Sequence, residues 1–322
     1  MSLVLFALGV SATFASENQI IEVTHTETAI ATPVMEMSLE EYAENNPDYA
    51  DAIITPNIRK YELAPSQTSQ TAQATQKDQN KAVQLESDDN DGLSIHAIPA
   101  ENLERGIIGT DDREYVWDSS AYPYSAIGYL VVHKRCGCQT TGTGFMVGSK
   151  TLLTASHCIV CSEHHKTADM IEIYFGYQPD GSYSYGYFGG TYYWYGTDFS
   201  EEYSLSRWGW DYAIVELEEN VGDYTGYLGI KVRPDKELER GLFQLAGYRD
   251  GIMMYSLGTT SVYNSNVIYH DADSIPGYSG SPLFDGEYYA TAIHVAELND
   301  STRCIACRIT KDILKQVREI EA

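Results

Sequence analysis

Residues 277–284 read GYSGSPLF. Ser279 stands two positions after Gly277 and directly before Gly280, and a short apolar run follows. Two readings compete. The stretch can be a tight turn that closes a hairpin. It can also hold a nucleophile on a rigid loop, with glycine baring the backbone N–H groups beside it. The turn needs nothing else from the chain. A serine nucleophile needs an imidazole to take its proton, and a buried carboxylate to fix and stabilise that imidazole. The rest of the sequence decides between them.

Both partners are present. TLLTASHC (151–158) sets His157 just after a strand-like run, and GWDYAIVEL (209–217) sets Asp211 just before one. Each motif alone has a plain structural explanation: a turn for Ser279, a packed strand end for His157, a strand cap for Asp211. Together, in the order His157, Asp211, Ser279, they match the chain order of the chymotrypsin-like triad.

On these motifs the chain resembles the trypsin-like serine proteases, and within them the glutamyl endopeptidase branch. The resemblance spans residues 106–322 and extends to IIGTDDREYVWDSSAYPYSAI near its start and RITKDIL near its end. It implies an all-β, chymotrypsin-like double barrel with a C-terminal helix. It implies Ser279 as nucleophile, His157 as general base and then acid, Asp211 as its orienter, and the N–H groups of Gly277 and Ser279 as the oxyanion hole. It implies a pocket lined by Ser274, five residues before the serine, and His294, fifteen after it. Both donate hydrogen bonds to a carboxylate, so cleavage after Glu is expected, with Asp second. Glu297 departs from the bacterial pattern and puts a negative charge near that pocket. A neutral-to-alkaline optimum follows if His157 must be neutral. His294 and a free Gly106 amine would instead bind an anion best when protonated. The alternatives are the same chemistry with another selectivity, or an inactive protease-like binding protein.

The residues themselves support the β class. Short runs such as AIGYLVVH, GFMVG, MIEIYFGY, LFQLAGY and YYATAIHV lie between Gly and Asn/Asp turns, as in a barrel or sandwich. The Tyr-rich stretch FGYQPDGSYSYGYFGGTYYWYGTDF reads as strands and hairpins of the first barrel, and its rings offer a stacking surface as the alternative. In KDILKQVREIEA, Ile313, Leu314, Val317 and Ile320 share one helical face, and Thr310 can cap it.

The chain of 322 residues divides near residue 105. Residues 3–10, LVLFALGV, followed by SATFAS, read as a secretory signal peptide over 1–16. Residues 17–105 read as propeptide and linker. They hold one helix, with Ser38 and Glu41 as a capping box and a stop at Asn45-Asn46-Pro47. Residues 64–91 read as disordered linker. Arg105 is the expected processing site and would free the amine of Gly106. Trypsin pairs that amine with an aspartate just before its serine. Here the position is Tyr278, so another anion is needed.

The net charge of −25 argues against nucleic acid or an anionic membrane as partner. The expected partners are protein or peptide substrates and the chain's own propeptide, outside the cell or in a secretory organelle. No cofactor is expected. The six cysteines fall as Cys136/Cys138, Cys158/Cys161 and Cys304/Cys307. The resemblance implies that Cys158 bonds back to Cys136 or Cys138, with Cys161 taking the other and Cys304–Cys307 forming a local bridge. Zinc is the rival for so thiol-rich a set. Secretion favours oxidation, and a zinc beside His157 would spoil the triad, so no metal is expected. The remaining histidines, at 25, 96, 133, 164, 165 and 270, read as surface or core residues. Asn299-Asp300-Ser301 is a glycosylation sequon.

Overall fold

Apolar side chains on alternate strand positions must be buried, and closing a sheet on itself does this while removing its edges. The computed structural model, which describes residues 53–54, 106–196, 205–298 and 302–322, does so twice. Two short strands come first, β1 (Ile53–Ile54) and β2 (Glu114–Tyr115). The first barrel comprises β3 (Ile127–Lys134), β4 (Gln139–Met146), β5 (Thr151–Thr154), β6 (Ala168–Tyr177), β7 (Tyr183–Tyr195) and β8 (Ala213–Leu217). It closes in the order β3-β4-β5-β8-β7-β6. After β9 (Gly229–Lys231) comes the second barrel: β10 (Leu242–Arg249), β11 (Ile252–Val262), β12 (Val267–His270), β13 (Pro282–Phe284), β14 (Tyr289–Glu297) and β15 (Cys304–Arg308). Its order is β14-β13-β10-β11-β12-β15, and the β14–β15 pairing closes the ring.

The Tyr-rich stretch runs from the end of β6 into strand β7, and its rings pack with those of neighbouring strands. Tyr174 stacks on Tyr187 at 5.2 Å, and Tyr129 of the first barrel meets Tyr248 of the second at 5.8 Å. Aromatic packing therefore joins the barrels as well as filling one of them.

The C-terminal helix Lys311–Glu321 forms as the sequence predicts. The Thr310 side chain accepts the Ile313 N–H, and Ile313, Leu314 and Val317 are buried. At its far end the Glu321 carboxylate accepts the N–H groups of Ser149 and Lys150, at 2.9 and 3.0 Å, and so ties the helix to the β4–β5 turn. No helix among the described residues is long and apolar enough to cross a membrane.

One strand was not expected. β1 lies in the segment read as propeptide and linker, yet it pairs antiparallel with β9, Ile53 opposite Lys231 and Ile54 opposite Ile230. β9 runs beside β14 on the outside of the second barrel, so its free edge accepts an extra strand. The signal-like residues 1–16, the 38–47 helix, the 64–91 linker, Arg105 and the 299–301 sequon lie outside the described residues.

Candidate active site

The helical turn Ser156–Ile159 follows β5 and carries His157. Asp211 stands just before β8, which is hydrogen-bonded to β5, so the two reach each other within the first barrel. The Asp211 carboxylate is fully buried and both its oxygens are used. Oδ1 accepts the His157 backbone N–H at 3.0 Å, and Oδ2 lies 2.7 Å from Nδ1. A proton on Nδ1 donates to Oδ2, which leaves Nε2 of the neutral ring as the base. Burial disfavours the imidazolium, but the adjacent carboxylate outweighs it and holds the His157 pKa well above the ordinary histidine value.

Ser279 comes from the second barrel, on the loop before β13. Thr143 of β4 fastens that loop across the barrels. Its N–H donates to Ser279 O at 2.9 Å and its hydroxyl to Gly277 O at 3.1 Å, while the same hydroxyl accepts the Tyr248 N–H. On the other side Gly280 N–H donates to His294 O at 2.8 Å. The Cys158 thiol, next to His157, donates to Ser279 O at 3.7 Å. Gly277 and Gly280 both have left-handed backbones, with φ of 107° and 88°. A Cβ on Gly277 would sit 2.7 Å from Tyr248 O, and one on Gly280 would run into Thr143 O. The glycines flanking the serine are therefore fixed by backbone conformation and by space. Among the described residues, no protein acceptor takes the N–H of Gly277 or Ser279.

The residues expected to line a pocket also come together. Ser274 and His294 are buried. Gly106 O accepts the Ser274 N–H at 3.0 Å, and a Cβ on Gly106 would lie 2.5 Å from Ser274 Oγ. The segment after Gly106 is held by Asp273, whose carboxylate accepts the N–H groups of Ile108 and Asp112 at 2.7 and 2.9 Å. Glu297 reaches further in than a rim position: its Oε1 lies 3.4 Å from Ser274 Oγ and 4.0 Å from His294 Nε2.

Two sequence expectations need correction, at His294 and at the cysteines. His270 is a core residue, as read, and it stands against His294. Its Nε2 lies 3.0 Å from His294 Nδ1. His294 does not titrate near neutrality: burial, and then the neighbouring His270 and His157, push its pKa well below the ordinary value. The expected disulfides are not formed, and all six cysteines are free. Cys158 faces Gly142 on β4, where a Cβ would stand 2.9 Å from its sulfur, so the strand offers it no thiol. Cys304 and Cys307 lie on one strand at odd spacing. Their sulfurs point to opposite faces, one to Ser274 Oγ at 3.3 Å and the other to Gly209 O at 3.4 Å. Three residues of strand span about 10 Å, beyond the reach of a disulfide.

The sequence reading also passed over Thr143, Asp273 and Lys134. Lys134 is a buried lysine whose Nζ donates to the carbonyls of His157 and Val160 at 3.2 Å each. A lysine ending the apolar run of β3 was its one signal.

A family model described as a trypsin-like peptidase domain matches residues 142–293. A glutamyl endopeptidase of Bacillus licheniformis is 30% identical over 191 residues, 56% of this chain and 55% of that protein. The chain thus spans about half the length of that relative. An extracellular metalloprotease of Bacillus subtilis is 25% identical over 278 residues, 79% of this chain and 85% of that one. Among solved structures, a Glu endopeptidase in complex with MPD superposes with a TM-score of 0.57 at 19% identity, covering 67% of this chain and 99% of that chain. The two six-stranded barrels and the bonded His157–Asp211 pair thus belong to a chain that matches a trypsin-like peptidase domain over residues 142–293 and is similar to a glutamyl endopeptidase over about half that protein's length.

Proposed function

We propose that this chain is a secreted serine endopeptidase, made as a zymogen, that hydrolyses peptide bonds after Glu and less readily after Asp. The observation that carries the reading is the doubly bonded His157–Asp211 pair facing a loop whose Gly277 and Ser279 N–H groups have no acceptor of their own. His157 Nε2 takes the Ser279 hydroxyl proton as Oγ attacks the substrate carbonyl. Asp211 stabilises the imidazolium that forms. The two N–H groups hold the oxyanion, His157 returns the proton to the leaving amine, and water then releases the acyl group by the same route.

Ser274, His294 and Gly106 form the specificity pocket in this reading. His270 keeps His294 in place: with the His270 Nε2–H donating to His294 Nδ1, His294 carries its own proton on Nε2, directed at the pocket. Glu297 competes with a substrate carboxylate for the same donors. Cleavage after Arg105 creates an ammonium at Gly106, beside the Glu297 side chain, which neutralises that charge. This supplies the anion that Tyr278 cannot. The signal-like segment 1–16 and the relative named as extracellular support secretion. The β1–β9 pairing supports a propeptide that stays in contact with the domain.

Glu297 also favours a second reading, the same chemistry with a different residue before the cut. Both readings require a reactive Ser279. The protein processed to begin at Gly106 is expected to be labelled by a phenyl organophosphonate at Ser279, and Ser279→Ala to remain unlabelled. Folded, processed protein that takes no label would overturn both and leave a protease-like binding protein.

A further inference from the structure

Two turns at one end of the first barrel bring together four groups that the proposed hydrolysis does not use. The first is the β3–β4 turn, closed by Lys134 N–H to Cys138 O and Gly137 N–H to Lys134 O, both 2.8 Å, with Gly137 at a φ of 87°. It presents Cys136 and Cys138. The second follows the His157 helical turn. It is closed by Cys161 N–H to Lys166 O at 2.8 Å and His165 N–H to Cys161 O at 2.9 Å, with His165 at a φ of 52°. It presents Cys161 and His164. Arg135 N–H donates to Thr167 O at 3.1 Å and ties one turn to the other.

The ligating atoms of Cys136, Cys138, Cys161 and His164 all lie within 4.8 Å of one another. His164 Nδ1 is 3.5 Å from both the Cys138 and the Cys161 sulfur. A tetrahedral zinc with sulfur at about 2.3 Å and nitrogen at about 2.0–2.1 Å has a sulfur–nitrogen edge of about 3.5 Å. The observed separations therefore equal the edge of a zinc tetrahedron, where a disulfide would need two sulfurs at about 2.05 Å. A disulfide would also leave the third thiol and His164 without a role. We propose that Cys136, Cys138, Cys161 and His164 bind a structural zinc ion.

The surroundings suit it. Three thiolates and one zinc carry a net charge of −1, and buried Lys134, two residues before Cys136, holds its Nζ at the Val160 carbonyl just before Cys161. A buried cation is costly without an anion nearby, and its two carbonyl partners supply none. Binding releases the three thiol protons to solvent and changes no oxidation state. All four positions are taken by protein, which is the closed arrangement of a structural site. The zinc would clamp the chain just past the turn that carries His157, and Lys134 links the clamp to the His157 carbonyl. Cys158 takes no part, so the zinc does not reach the imidazole. This replaces the sequence expectation of disulfides at Cys136, Cys138 and Cys161.

The test uses the full chain as Ser279→Ala, which prevents self-cleavage, purified without chelator in reducing buffer with Zn2+ and then desalted. Metal analysis is expected to find one zinc per chain. Cys136, Cys138 and Cys161 are expected to resist alkylation until a strong chelator is added. Co2+ added to the stripped protein is expected to give the visible absorption of a tetrahedral thiolate site. His164 is exposed, so His164→Ala keeps the fold and is expected to weaken zinc binding by more than about tenfold. A folded chain that holds no zinc, whether the three cysteines stay free or two are joined on peptide mapping, overturns the proposal. So does zinc whose affinity is unchanged in His164→Ala.

Discussion

His157 and His294 are the same residue type, one from each barrel, in opposite surroundings. His157 rests on a buried carboxylate that uses both oxygens to hold it, and its pKa rises. His294 is buried against a second histidine, and its pKa falls. In the proposed mechanism the first accepts a proton and carries a charge during reaction, and the second stays neutral with one N–H to donate. A histidine's role here follows from its nearest ionisable neighbour rather than from its own chemistry.

The largest test of this contrast removes the charge beside His157. Asp211→Asn is expected to lower kcat by about 10^4-fold, because the amide no longer fixes the tautomer or stabilises the imidazolium. In the parent enzyme, kcat/KM is expected to rise with pH through a pKa above the ordinary histidine value, since His157 is a base only once deprotonated. A profile already flat at pH 6 would break the assignment.

The next test concerns His294. His294→Ala is expected to cut kcat/KM for a Glu substrate by about tenfold to a hundredfold, the worth of one hydrogen bond to a charged group, and to leave phosphonate labelling of Ser279 intact. A smaller effect follows at Glu297, whose Oε1 lies 3.4 Å from Ser274 Oγ, one of the donors proposed for the substrate. Glu297→Gln is expected to raise kcat/KM for Glu substrates about fivefold at low salt, the effect of one partly screened charge. A fall instead would mean that the charge serves the pocket, by holding the Gly106 ammonium.

The smallest effect is on stability. His270 titrates near 6.5 when unfolded and is pushed down to about 4 by burial in the folded chain. As pH falls from about 6.5 toward 4, the unfolded chain takes up the proton first, so stability present at neutral pH is lost in that window. His157 is raised, so near pH 6.5 it opposes this loss; by about pH 5.5 it is charged in both states and adds no slope. The urea midpoint is expected to drop between about pH 5.5 and 4, and less steeply in His270→Gln.

The two Cys-x-x-Cys pairs show what the sequence could and could not convey. Cys158/Cys161 and Cys304/Cys307 have identical spacing. The first runs out of a helical turn into a loop, so Cys161 can swing toward Cys136 and Cys138. The second lies within β15, where odd spacing sends the sulfurs to opposite faces. Spacing alone does not carry that difference; the local backbone does. The His157–Asp211 contact was foreshadowed because the two stand at the ends of strand-like runs, and the Ser279 turn because its glycines take left-handed backbones. The β7 tyrosines were legible as strand through their short Gly-separated runs. β11 was not read: its alternating buried positions include Ser256, Gly258 and Thr260, so no continuous apolar run marks it. The His270–His294 contact was hidden because β12 and β14 meet only through β15, a pairing that follows from closing the barrel.

The most direct test of the account digests a proteome-derived peptide library with protein processed to begin at Gly106, and reads the residue before each cut by mass spectrometry. Ser279→Ala is the control. The account predicts cuts dominated by Glu, with Asp behind, and none in the control. Serine-dependent cuts after Lys, Arg or apolar residues would contradict the roles given to Ser274, His294 and Gly106. No cuts from folded, processed protein would contradict the hydrolytic mechanism itself.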